Sequence, residues 1–372
     1  MLKILSCSGR CRCKRRHKIG LIVLSLLTIS QPVYGIGFGR AKEPLPHLVA
    51  PMTKIEEGAV QPNEAGQIMV LMYHGLDKHK QSKPYMRTIA GFKSDLQQLY
   101  EHGFRPISVA DLVNNNIQVE AGCTPVVITF DDGMDTSFAL EERDGAYVPV
   151  LDCAVDIMDK FALEHPDFGK AAVFFINGGD RPPFAGAGTV EERLQYLVNH
   201  GYELGNHTYT HIDMSKAGAY ELQKEMASVE RLVRECVPGY NMVCMAYPYG
   251  VRPAAGLRKY ALQGENDGIA YHYALAFRAS VTPTPANPNC SGLDPLNMPR
   301  VRGTDSSETD LGWQLKRYAE NPDLRYISDG DPDIITVPFS ELRKIDTAAL
   351  GSRTLNIYGL QLDEMAGDTA KQ

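Results

Sequence analysis

The stretch TPVVITFDDG, residues 124–133, reads as a buried strand that stops on two carboxylates. Its β-branched and apolar residues run without alternation, as in a strand covered on both faces. Asp131 and Asp132 follow, and then Gly133. Adjacent carboxylates at one strand end repel each other. Either the pair is a solvated turn, which Asp and Gly favour, or each acid has its own positive partner, a cationic side chain for one and a divalent metal for the other.

The sequence on both sides repeats the theme. QIMVLMYHG (67–75), AAVFFING (171–178), YELGNHT (202–208), MVCMAYPYG (242–250), YALAFRAS (273–280), NMPRVRG (297–303) and PDIITVP (332–338) read as short strands. Helical spacing fills residues 91–103, 151–165, 190–201, 219–236, 256–264 and 310–320. Strand–helix alternation implies parallel strands joined by right-handed crossovers. The expected fold is α/β: an irregular TIM-like (β/α) barrel of seven or eight strands in a single domain. Chemistry in such barrels sits at the C-terminal strand ends. His74, Asp131, Asp132, Asn177, His207 and Tyr249 all fall at or just after strand ends.

The 372-residue chain carries a net charge of −7. That argues against the duplex-wide basic face a nucleic-acid partner requires. The first 35 residues differ from the rest. GRCRCKRRHK is followed by an apolar run over residues 19–29, broken at Pro32. A spanning helix needs about 20 apolar residues, so the run reads as an export signal, or as an uncleaved anchor that would be the only membrane contact. Both readings place the remainder outside the cytoplasm, in the periplasm or secreted. Residues 36–66 read as a linker, 67–345 as the catalytic domain and 346–372 as a short tail. Beyond the signal lie Cys123, Cys153, Cys236, Cys244 and Cys290. In an exported protein these are disulfide candidates, with Cys236–Cys244 the expected pair.

GNHTYTHID, residues 205–213, sets His207 and His211 four apart. On a helix or helical turn both imidazoles share one face. They are then either two surface histidines or a metal grip. Asp132 as third ligand completes two imidazoles and a carboxylate with positions left open, the layout of a catalytic metal site. Zinc suits these ligands, and other first-row divalent ions fit as well. AYPYG, residues 246–250, fixes the backbone at a strand end, either as an ordinary loop turn or with an N–H that can point at a developing oxyanion.

In combination, TFDDG, HTYTH and AYPYG resemble the polysaccharide deacetylases of the NodB-homology fold, carbohydrate esterase family 4. The resemblance implies metal-dependent removal of N-acetyl groups from an N-acetylglucosamine-containing polysaccharide. It implies Asp131 as general base, Asp132, His207 and His211 as metal ligands, and the Tyr249 N–H on the oxyanion. Two departures stand out. The arginine that begins the third motif in many members is Ala246 here, and Arg300 is the candidate replacement. No histidine follows His272, whereas many members carry a late one as general acid. VLMYHGL resembles the poly-β-1,6-N-acetylglucosamine deacetylase subgroup, in which that motif lies on the first strand, which makes His74 the candidate acid. The alternatives are a catalytically impaired carbohydrate-binding protein, or a deacetylase of peptidoglycan or of a small amino sugar. Phe184, Tyr209, Tyr247 and Tyr249 are candidate sugar-stacking faces.

Overall fold

The computed structural model describes residues 60–78, 85–179, 181–279, 287–305, 307 and 309–359. The expected export segment, most of the linker and the last residues of the tail lie outside this set. Seven parallel strands close on themselves: β1 (Met69–Tyr73), β2 (Thr124–Phe130), β3 (Val173–Ile176), β4 (Glu203–Asn206), β5 (Cys244–Ala246), β6 (Leu275–Ala279) and β7 (Met298–Arg302). Each pairs with the next in chain order, and β7 returns to β1 through Leu71↔Val301. Five helices cover the ring: α1 (Ile89–Glu101), α2 (Ala154–Glu164), α3 (Val190–Asn199), α4 (Ala219–Cys236) and α5 (Leu311–Glu320). The start of α3 shows why these helices begin where they do. The Thr189 side chain accepts from the N–H of Glu192, whose carboxylate accepts from the Thr189 N–H, so two otherwise unpaired donors are satisfied.

Side-chain alternation divides the strands between two cores. Leu71, Ile128, Phe174 and Met245 face the helices. Val70, Val127, Phe175, Cys244, Phe277 and Met298 fill the barrel. Burying each such side chain contributes about 1.5–3 kcal/mol. The interior is tight. A Cβ on Gly205 of β4 would lie 2.4 Å from the Phe175 ring, so glycine is needed where these two strands pack. The same inward parity puts Thr129, Asp131, His207 and Arg300 at the open C-terminal end.

Several expectations need correction. PDIITVP forms Ile334–Pro338, which is not a barrel strand. It pairs in parallel with Thr354–Tyr358, inside the segment expected to be a tail. The last strand of the ring is β7. Residues 256–264 hold the end of a 3₁₀ turn, Ala255–Leu257, and one α-helical turn, Lys259–Leu262, before an antiparallel hairpin, Gln263–Asn266 with Ile269–His272. Asp267 and Gly268 turn it with φ 49° and 76°, the conformation a tight hairpin requires. The Cys236–Cys244 disulfide is absent: both are free thiols, as are Cys123, Cys153 and Cys290. Cys236 ends α4 in the outer core, while Cys244 points into the barrel. Among the described residues no helix is long and apolar enough to cross a membrane.

The opposite end of the barrel is closed by residues of the expected linker. Asn63 bridges Ile327, and Ala65 packs with Ile335, Val337, Leu350 and Ile357. Glu64 is buried among them. It accepts from the Tyr326 hydroxyl and from the N–H of Thr336. Burial, with Asp329 adding to it, pushes its carboxyl from 4.5 up to about 8 against those hydrogen bonds. Between these two values the folded chain keeps a proton that the unfolded chain releases, so this group's contribution to stability declines as pH rises through that window. The pH slope of the melting temperature between pH 5 and 8 should therefore flatten in Glu64→Gln. Identical slopes in the two proteins would contradict this.

Candidate active site

The upper end of the barrel gathers residues from five strand ends. Asp131 follows β2 and points inward, 2% exposed. Arg300 of β7 meets it with two parallel bonds, Nη1 to Oδ1 and Nη2 to Oδ2, both 2.7 Å. The same guanidinium donates to Thr129 Oγ1 at 3.0 Å, and its carbon lies 5.5 Å from the centre of the Phe175 ring. Arg300 is 1% exposed. It occupies the barrel interior from β7, two strands along the ring from Ala246 on β5. Burial alone would raise the Asp131 carboxyl. Arg300, helped by His207 and His74, outweighs it and holds the group well below the usual carboxylate range.

Asp132 turns the other way because its backbone is left-handed, with φ 71°. Adjacent acids are thereby sent to different partners. Asp132 Oδ1 lies 3.4 Å from His207 Nε2 and 3.3 Å from His211 Nε2. That oxygen is buried and, among the described residues, has no hydrogen bond of good geometry. One ligand atom from each of Asp132, His207 and His211 falls within 4.8 Å of the others. Around a tetrahedral ion with bonds of about 2.0–2.1 Å, ligand atoms stand about 3.3 Å apart. The two measured separations match that spacing. His207 Nδ1 is tied to the Ala246 carbonyl at 2.8 Å, which directs Nε2 at the cluster, the arrangement metal-binding histidines use. The residues fit a divalent cation. Without one, burial lowers His211, with His207 adding to it, while the two aspartates raise His207 against burial.

The two histidines do not lie on a helix. Thr208 and His211 are left-handed, with φ 60° and 53°, and a loop folds the rings to 5.0 Å between centres. Distant polar side chains hold this loop. Asn177 donates to the carbonyls of His207 and Thr208 at 2.6 and 2.8 Å. Asn206 Oδ1 accepts from the Thr208 N–H. Glu225 on α4 accepts from the N–H and the hydroxyl of Thr210. Nothing in the local sequence around His207 marks Asn206 or Glu225 as its supports. A buried Glu on the inner face of an amphipathic helix was the available signal.

His74 follows β1, with Nε2 3.9 Å from Asp131 Oδ2. Its Nδ1 is buried and unpaired among the described residues. Burial lowers the imidazole below 6.5, opposed by Asp131 and Asp132. Tyr249 lies beyond β5 on a single 3₁₀ turn with φ 58°, and its ring packs edge-on to His211 at 4.5 Å. Of the four candidate stacking rings Tyr249 is the most open, and Tyr209 is half-buried on a depression that also touches Asp132 and His211. Phe184 packs on Phe138 and Phe174. Tyr247 is buried and bonded to the Leu296 carbonyl. Tyr209 packs against Gly178. Tyr85 was absent from the sequence candidates, yet it lines the cleft beside His74.

Residues 118–264 match the polysaccharide deacetylase family. The chain is 28% identical over 133 residues to a chitooligosaccharide deacetylase of Sinorhizobium fredii, covering 35% of this chain and 49% of that protein. It is 26% identical over 125 residues to a peptidoglycan-N-acetylglucosamine deacetylase of Bacillus cereus, covering 34% of this chain and 36% of the relative. The chain therefore spans about half the length, or less, of these curated relatives. Among solved structures, a polysaccharide deacetylase from Bacillus cereus aligns over 68% of each chain, with TM-score 0.49 and 20% identity. IcaB from Ammonifex degensii aligns over 69% of this chain and all of its own, with TM-score 0.46 and 18% identity. The family match spans both aspartates, both histidines of the cluster and Tyr249. His74 and Arg300 lie outside it, and their place in the site comes from the barrel geometry alone.

Proposed function

We propose, from the match of residues 118–264 to polysaccharide deacetylases, that this protein hydrolyses N-acetyl groups on an amino-sugar polymer and releases acetate. The observation that carries the reading is the pairing of two sites in one cleft: an Asp132–His207–His211 cluster beside an Asp131 held by Arg300. A divalent ion in that cluster, for which zinc suits the donors, would supply Lewis acidity and lower the pKa of a bound water. The protein's own residues do the rest. Asp131, kept ionised and aimed by Arg300, takes the proton of the attacking water. The Tyr249 N–H faces the developing oxyanion. His74 hands a proton to the leaving amine. Burial lowers the His74 imidazole, and Asp131, 3.9 Å away, can pass it the proton taken from the water. The products are acetate and a free amine on the sugar.

The signs of an inactive carbohydrate binder were the missing arginine at position 246 and the absent late histidine; Arg300 supplies the cation from another strand, and His74 stands at the site from β1. The N-terminal segment would place the enzyme in the cell envelope or outside it, where such polymers lie. The test is acetate release from β-1,4- and β-1,6-linked N-acetylglucosamine oligomers. Asp131→Asn and His74→Ala should each lower the rate by about 100-fold or more, the range ascribed to positioned acids and bases. Release that survives His74→Ala would remove the acid role from that residue. Release from neither oligomer, with any divalent ion present, would overturn the deacetylase reading.

A further inference from the structure

Tyr85 and Tyr249 share three properties. Both are large side chains left open, 49% and 66% exposed. Both hold left-handed backbone, with φ 65° and 58°, which a bulky residue adopts only where the surroundings impose it. Each ring lies against a different site histidine, Tyr85 at 5.0 Å from His74 and Tyr249 at 4.5 Å from His211. Both line one cleft with Asp131, Asp132 and Arg300.

The two rings flank the site from different walls. Tyr85 stands beside the end of β1 and Tyr249 beyond the end of β5, three steps apart in a ring of seven strands. Tyr85 is anchored from behind. The strand it precedes, Met86–Thr88, pairs with Gly75–Asp77, and its neighbour Arg87 makes buried bonds to Asp95. Past the cluster, the cleft meets a second depression that shares Asp132 and His211 and is bounded by Asn177, Arg181 and Ala185. Room for sugar units therefore exists on the far side of the cluster from Tyr85.

An aromatic face takes the C–H face of a sugar ring, and a tyrosine adds a hydroxyl at the wet rim. We propose that Tyr85 and Tyr249 are specificity-determining residues that grip an amino-sugar chain on both sides of the reacting unit. The protein then acts on internal units of a polymer rather than on chain ends or monosaccharides. This deepens the deacetylase reading and rests on it for the identity of the ligand. A merely structural role, wedging the histidines in place, predicts something else: loss in kcat at unchanged KM.

The experiment uses the whole chain and β-1,4- and β-1,6-linked N-acetylglucosamine pentamers. The position of the first acetyl group lost is read by mass-spectrometric sequencing. The expected result is loss from an internal unit, with KM raised about five-fold or more in Tyr85→Ala and Tyr249→Ala. Tyr85→Phe and Tyr249→Phe, which keep the ring, should stay within about two-fold of the parent. First loss at a chain end, or a loss confined to kcat, overturns the proposal. A calorimetric arm keeps it separate from the enzymatic reading. Pentamer affinity is measured in Asp131→Asn with and without Tyr85→Ala. Should no acetate be released at all, the deacetylase reading falls, while weaker binding on adding Tyr85→Ala still supports the grip. Unchanged affinity, or no binding of either pentamer, overturns it.

Discussion

Replacing Arg300 by methionine is expected to lower acetate release by about 100-fold or more and to destabilise the fold by about 3–5 kcal/mol. Both effects come from one ion pair. Arg300 and Asp131 are almost wholly buried and joined by two bonds of 2.7 Å. Methionine fills much of the volume but leaves a buried carboxylate without its cation. Asp131 can then avoid the penalty only by binding a proton, which removes the base. The sign of the pH effect follows. With Arg300 present the carboxyl is held well below its usual range, so it is ionised wherever the enzyme works. Without Arg300 its pKa rises, and the acid limb of the rate profile should move to higher pH. Combining Arg300→Met with Asp131→Asn should restore most of the stability, because no lone charge remains, while leaving the rate low. An Arg300 that only packed at a strand edge would show neither the pH shift nor the rescue.

Replacing His207 by alanine is expected to weaken divalent-metal binding by more than about 100-fold and to abolish measurable release. Loss of a group that merely supports a ligand costs about 10–100-fold in affinity, and the loss of a ligand itself exceeds that. His207 is 2% exposed, and its far nitrogen is fixed on the Ala246 carbonyl, so no other side chain can swing into its place. His211 is half open and rests against Tyr249, so His211→Ala should lose less. Metal affinity measured by competition with a chromophoric chelator orders the two variants. Equal affinity in His207→Ala and the parent protein would remove His207 from the cluster.

Asp131, Asp132 and His207 were legible at strand ends, and His211 from its four-residue spacing, although a loop with left-handed residues rather than a helix brings the two rings together. Arg300 was expected on a strand neighbouring the third motif; the structure sets β6 between them, and β1 between Arg300 and Asp131, and inward parity with Met298 carries the guanidinium to Asp131. The supports of the histidine loop were not legible as such. The left-handed backbone at Thr208 sits in a loop that Asn177, Asn206 and Glu225 hold through His207, Thr208 and Thr210; only the strand-end place of Asn177 was read, and its bonds, like those of Glu225, come from another element. Tyr85 was hidden for the same reason, since a positive φ on tyrosine has no local signature. The strand at residues 334–338 has the composition of a barrel strand, and only its partner at 354–358 shows that it lies outside the ring. Cys236 and Cys244 are near in sequence yet sit on opposite faces of the sheet, a separation that spacing does not reveal.

The central claim is that Asp132, His207 and His211 hold a divalent ion on which N-deacetylation depends. The most direct measurement strips the protein of metal and reloads it with zinc in steps, following bound metal and acetate release from an N-acetylglucosamine pentamer in the same samples. The account predicts that release rises linearly with bound zinc and saturates at one ion per chain, and that His207→Ala neither binds at that stoichiometry nor releases acetate. Undiminished release from the stripped protein, or full release from His207→Ala, would contradict it.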